Sequence, residues 1–123
     1  MAGRDRVGCF PGSFGPLTVA HLAVAEAALT AGRLDRVDLV LSIDALGRTA
    51  GELPTVDERA DVLRSVAAGH GRLGVRVSGQ RLVADLAEGY DAVVLGADKW
   101  RQVLDPEWYG GDVAARDLAV GRL

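Results

Sequence analysis

The sequence predicts a three-layer α/β sandwich: a parallel sheet with helices on both faces. Three observations predict it. Short runs rich in Val and Leu, each of strand length, recur four times along the chain. Helical stretches separate them. The runs are apolar on more than one side, which suits strands covered on both faces. Parallel neighbours need crossover connections, and the intervening helices supply them. This is the pattern of a Rossmann-like fold.

The first strand is RVGCF, Arg6 to Phe10, and a loop dense in Gly and Pro follows it. The stretch TVAHLAVAEAALTAG then reads as a helix. Leu22, Ala25, Ala28 and Leu29 fall on one stripe, with Gly32 where a C-terminal cap belongs. RVDLVLSI, Arg36 to Ile43, is the second strand. After a long loop, Thr55-Val56-Asp57-Glu58 reads as a capping box. The Thr55 hydroxyl accepts the Glu58 amide while Glu58 reaches back. The second helix continues through ERADVLRSVAAG. LGVRVS, Leu73 to Ser78, is the third strand, and QRLVADLAEG supplies a third helix. DAVVLG, Asp91 to Gly96, is the fourth strand and leads into Gly96-Ala97-Asp98-Lys99-Trp100.

Composition limits what such a domain can be. At 123 residues the chain reads as one domain, 1–123. Its residues are 49% hydrophobic and 5% aromatic, so the core must be mostly Val, Leu and Ala. Net charge is -3 with the two signs interspersed, which argues against a nucleic-acid partner. No apolar run reaches membrane-spanning length, and MAGRDRVG lacks the apolar centre of a signal peptide. A cytoplasmic location is expected. The single cysteine, Cys9, lies inside the first apolar run and reads as a buried, reduced small hydrophobe.

In such sheets a ligand sits at the carboxyl ends of the strands, near the switch point. Two loops at that edge carry unusual chemistry. In PGSFGPLTVAH, Pro11 to His21, Gly12 and Gly15 allow close backbone approach to a ligand, and Pro11 and Pro16 stiffen the turns. Thr18 can cap the following helix, which leaves His21 in its first turn beside free amides that attract an anion. A histidine there donates hydrogen bonds to phosphoryl oxygens. The same residues also fit a plain strand-to-helix connection with a structural histidine.

The order Phe10-Pro11-Gly12-Ser13-Phe14-Gly15-Pro16-Leu17-Thr18-Val19-Ala20-His21 resembles the signature of the nucleotidylyltransferase superfamily. In that signature a Gly-Ser/Thr-Phe-x-Pro segment leads into His/Thr-x-Gly-His. The resemblance implies a Rossmann-like fold. It also implies transfer of a nucleoside monophosphate from ATP or CTP to a phosphate-bearing acceptor, with release of pyrophosphate and participation of Mg²⁺. By the same resemblance His21 contacts the triphosphate and steadies the transition state, and Thr18 stands where many relatives carry a first histidine. Threonine there is similar to phosphopantetheine adenylyltransferases and some nicotinamide mononucleotide adenylyltransferases. Gly-Ala-Asp in GADKW, with Trp108 downstream, is similar to nicotinate/nicotinamide mononucleotide adenylyltransferases, where the Asp belongs to the nucleotide site and a tryptophan holds the pyridine ring. The likeness runs from about Arg6 to Trp108.

The chain departs from the signature at Gly15, in place of the usual Asp or Asn, and at Ala20, in place of Gly. No Ser or Thr follows Ser78, so the family's late Ser/Thr-rich motif is missing. The expectation is a domain lacking the C-terminal part that carries that motif; a degenerate member is the alternative.

The expected site is therefore His21 and Thr18 as catalytic residues, with Gly12, Ser13, Phe14, Gly96 and Asp98 on the nucleotide. Arg48, Trp100 and Trp108 are candidates for the acceptor. Mg²⁺ is expected to be held mainly by the nucleotide phosphates, since no carboxylate cluster offers a cage. Partners are ATP, or less readily CTP, and a phosphorylated small molecule such as a pyridine mononucleotide, with no nucleic acid and no membrane. A homo-oligomer is compatible with the sequence. Asp98 could instead cap the next turn. Lys99, the chain's one lysine, and Arg101 fit either phosphate neutralisation or a solvated face. His70, in GHGR, reads as a partner for the C-terminal end of its helix. The rival function is a non-catalytic nucleotide-binding or scaffolding domain of the same fold.

Overall fold

The computed structural model describes residues 5–12, 14, 17–42, 56–80 and 82–123, with only the backbone of Val56, Ala97 and Asp98. The elements alternate as expected: β1 (Val7–Gly12), α1 (Val19–Ala31), β2 (Arg36–Ser42), α2 (Val56–His70), β3 (Leu73–Ser78), α3 (Val83–Leu86), β4 (Ala92–Val93), α4 (Ala97–Leu104), a 3₁₀ turn (Pro106–Tyr109) and α5 (Val113–Gly121). The four described strands form one parallel sheet in the order β3-β2-β1-β4. The α/β Rossmann-like fold that the sequence predicts is the fold of this chain.

Strand alternation divides the core between two faces. Phe10, Val37, Leu39 and Leu41 point to one face, where Ala25 and Leu29 of α1 and Ala60 and Leu63 of α2 cover them. Cys9 and Val40 point to the other, beneath Leu86 and Ala87. Each fully buried Leu or Val stabilises the fold by ~1.5–3 kcal/mol relative to exposure. The Leu22–Ala25–Ala28–Leu29 stripe faces inward, as its spacing predicts, with Ala25 and Leu29 buried.

Several boundaries differ from those the sequence predicts. β1 runs on through Pro11 and Gly12, both in register with β2. The third helix is a single turn, Val83–Leu86. It starts without a side-chain cap, and the chain turns at Gly89, whose φ of 86° only glycine adopts freely. β4 is reduced to Ala92–Val93, because β1 is its sole neighbour among the described residues. Gly32 caps α1 in a right-handed conformation, and the left-handed residue is Arg33, at φ 51°. The Thr55 capping box lies outside the described residues.

Polar links cross the sheet. Asp38, in the middle of an apolar strand, accepts from Nε of Arg36 at 2.8 Å and from the Tyr90 hydroxyl at 2.8 Å. A Cβ on Gly74 would run into that carboxylate, so the glycine makes its room. Burial and the bond to Asp38 push the Tyr90 phenol up, and burial pushes the Cys9 thiol up to about 12. His70 ends α2, as predicted, and also reaches α1, with Nε2 at 3.2 Å from Glu26 Oε1. Among the described residues no helix is long and apolar enough to cross a membrane.

Candidate active site

The chain runs β1 to β2 to β3 in one direction across the sheet, then returns to place β4 on the far side of β1. The switch point lies between β1 and β4, and open α/β sheets bind ligands at the carboxyl ends of the strands there. α1 follows β1 and α4 follows β4. Both chemistry-bearing loops thus leave the same sheet edge from adjacent strands.

At the β1 side the geometry is specific. Phe14 takes φ 45°, a left-handed conformation costly for an aromatic residue, and is buried at 4% exposure. Its ring folds back over Gly12, where an added Cβ would stand 3.1 Å from Phe14 Cζ. The ring also meets Phe10 edge-on at a centroid distance of 5.4 Å.

Thr18 is the N-cap of α1, as the sequence predicts. Its hydroxyl accepts the His21 amide at 3.4 Å, and its own amide donates to Nδ1 of His21 at 2.9 Å. This is a capping box with histidine in the place of the usual Glu or Gln. A backbone N–H can only donate, so Nδ1 is an acceptor and the neutral ring carries its proton on Nε2. The ring is flanked by Phe14 at 5.3 Å and Phe10 at 6.3 Å. The result is an oriented Nε2–H donor at a helix start that holds no acidic residue in its first turn. Sequence reasoning misses the two phenylalanine walls: the Phe-x-x-x-Phe spacing is visible, but the backbone turn that joins the rings is not.

At the β4 side Gly96 is the N-cap of α4, without a side-chain cap, and Asp98 lies within the first turn. Asp98 is therefore not the N-cap residue. Its side chain, together with Ser13 and Arg48, lies outside the described residues. Lys99 is half-buried, and desolvation pulls its ammonium below the ordinary lysine range. Trp100 is 42% exposed and lines a groove of about 500 Å³ with Tyr90, Val93, Val120 and Leu123, a groove that includes neither Gly12 nor His21. Trp108 is half-buried in the 3₁₀ turn, and the neighbouring Tyr109 hydroxyl donates to the Val103 carbonyl at 2.8 Å. The structure thus brings Gly12, Phe14, Thr18 and His21 together, places Gly96 and the backbone of Asp98 on the adjacent strand's end, and sets Trp100 along the β4 groove.

Among the described residues, no group of three or more His, Cys, Asp or Glu side chains is placed to hold a metal ion. The arrangement at His21 is suited to hydrogen-bonding an anion instead. A protein-family model described as cytidylyltransferase-like matches residues 9–119, a span that holds both loops. With the parallel sheet, its switch point and the Thr18–His21 helix start in place, the chain belongs to the cytidylyltransferase-like family, whose chemistry is nucleotidyl transfer.

Proposed function

We propose that this domain transfers a nucleoside monophosphate, AMP in preference to CMP, from a nucleoside triphosphate to a phosphate-bearing acceptor such as a pyridine mononucleotide. The observation that carries the reading is the fixed Nε2–H of His21 at the start of α1, beside the switch point. An acceptor phosphate oxygen attacks the α-phosphorus, the bond from that phosphorus to the bridging oxygen breaks, and pyrophosphate leaves. No protein nucleophile is required, so catalysis rests on positioning and charge stabilisation. His21 donates to a phosphoryl oxygen that gains charge as the bond breaks. Because Thr18 and the two aromatic rings already orient the donor, little reorganisation is needed at that moment. Gly12 and Phe14 shape the floor beneath it. Mg²⁺, held by the nucleotide phosphates, would supply charge neutralisation there. The preference for AMP and for a pyridine acceptor is supported by the resemblance at GADKW and Trp108.

The test is pyrophosphate release from ATP and from CTP with nicotinate mononucleotide, nicotinamide mononucleotide and phosphopantetheine, alongside calorimetric nucleotide binding. His21→Ala is expected to lower turnover by at least ~100-fold, the scale for losing one transition-state donor, while nucleotide affinity falls much less. Wild-type turnover in that variant removes His21 from the mechanism. Nucleotide binding with no turnover on any acceptor favours a non-catalytic nucleotide-binding domain instead.

A further inference from the structure

Among the described residues, Phe14 and Arg33 alone combine a side chain with a positive φ, and Arg33 stands exposed in the turn after α1. The left-handed region is costly for a bulky aromatic residue, whereas glycine enters it freely. The loop that follows β1 holds two glycines, yet position 14 is a phenylalanine. A residue persists in such a conformation only where its surroundings over-determine it, and outliers of this kind gather at functional sites.

The surroundings of Phe14 are specific. Its ring lies 3.1 Å (Cζ) and 3.2 Å (Cε2) from where a Cβ on Gly12 would stand. It meets Phe10 at an interplanar angle of 80° and His21 at 71°, with centroids 5.4 Å and 5.3 Å away. At 4% exposure the ring has no open face on which a base could stack. Its one polar neighbour among these is the imidazole. The Thr18 amide decides which nitrogen of His21 is left free, at 2.9 Å from Nδ1. A single hydrogen bond does not hold the tilt of the ring, because the last torsion of histidine is broad. The edge contact with Phe14 supplies that restraint. Through Phe10 it is anchored to β1, which is matched to β2 from Val7 to Gly12.

We infer that Phe14 is a positioning residue for the His21 donor of the transferase proposed above, a reading on which this inference rests. Its side chain acts through the imidazole and touches no part of the nucleotide. The left-handed turn is what folds the phenyl ring back over Gly12 and against His21; a right-handed or extended residue 14 would send the ring elsewhere. The conformation that weakens the fold is therefore the one that aims the donor. Relief of the strain should not restore function once the ring is gone.

The experiment compares the full wild-type chain with Phe14→Leu, Phe14→Ala and Phe14→Gly. It measures melting curves, calorimetric ATP binding, pyrophosphate release with the acceptors named above, and NMR relaxation of the His21 ring. Phe14→Gly should melt above Phe14→Ala, the reverse of the order at an ordinary position, because glycine relieves the positive φ. Turnover should fall about tenfold or more in all three variants and should not recover with the melting point in Phe14→Gly. ATP affinity should stay within about threefold of wild type. The imidazole should be rigid in wild type and mobile in each variant. Wild-type turnover in a folded Phe14→Leu, or an imidazole as rigid there as in wild type, overturns the inference. ATP affinity that falls in step with turnover makes the ring a nucleotide contact and overturns it too. Turnover that simply follows the melting point across the three variants leaves Phe14 a packing residue and also overturns it. Wild type without turnover on any acceptor overturns the transferase reading, and the relaxation of the imidazole then decides the positioning by itself.

Discussion

The amide of Thr18 donates to Nδ1 of His21 across 2.9 Å, and this one bond fixes both the orientation and the tautomer of the imidazole. The helix cap and the donor proposed to act on the triphosphate are the same structure. Thr18 thus caps the helix with its hydroxyl and orients the imidazole with its amide.

Thr18→Ala should keep the backbone donor but lose the hydroxyl that accepts the His21 amide. The expected cost is ~1 kcal/mol of stability, read as a lower urea midpoint, together with reduced pyrophosphate release. Thr18→Ser should restore both. A Ser variant as impaired as Ala would show that the threonine methyl, not the hydroxyl, matters.

Gly12→Ala and Gly69→Ala should move stability in opposite directions. At Gly12 the new methyl would meet the Phe14 ring at 3.1 Å, and that ring is held between Phe10 and His21. Overpacking there should cost ~1–3 kcal/mol and displace the histidine, lowering turnover as well. Gly69, near the end of α2, has no positive φ, and nothing lies within 4 Å of where its new methyl would stand. Alanine there should add ~0.5–1 kcal/mol and leave activity unchanged. Paired denaturation curves decide the matter.

Alkaline conditions should unfold the protein through Cys9 and Tyr90. Both groups have folded-state pKa values raised above their unfolded values, Cys9 to about 12. Between the unfolded and folded values the unfolded chain has lost a proton that the native state still holds. Stability is therefore fully present below the thiol's ordinary range and is lost as pH rises through the folded values. Urea midpoints from pH 8 to pH 11 should fall, and Cys9→Ala with Tyr90→Phe should flatten that decline. A midpoint that falls equally in the double variant would locate the alkaline weakness elsewhere.

Much of the fold is legible in the sequence because its signals are local. The Leu73–Ser78 strand has the bounds its composition predicts, and the Thr18 cap and the inward stripe of α1 follow from residue type and spacing. What escapes depends on distant partners or on backbone turns. The expected third helix shrinks to Val83–Leu86, since Gly89 turns the chain before another turn can form. β4 shrinks because pairing, not composition, sets the length of an edge strand. Asp38 reads as an interruption in a strand until Tyr90, 52 residues away, is seen to meet it. At the site, the loop and its histidine are readable from order alone. The aromatic walls require the left-handed Phe14.

The two strands that carry the site are held very unequally. β1 is matched to β2 along residues 7–12, whereas β4 is matched to β1 at only two residues. Backbone amides of β1 and β2 should thus exchange with solvent only through global opening, and those around Ala92 through frequent local fraying. The consequence is a cleft with one stiff jaw and one compliant jaw. The imidazole hangs from the stiff side and keeps its aim, while α4 hangs from the compliant side and is the freer of the two to shift. In the transferase proposed above, such a division would separate what is modified from how the triphosphate is handled.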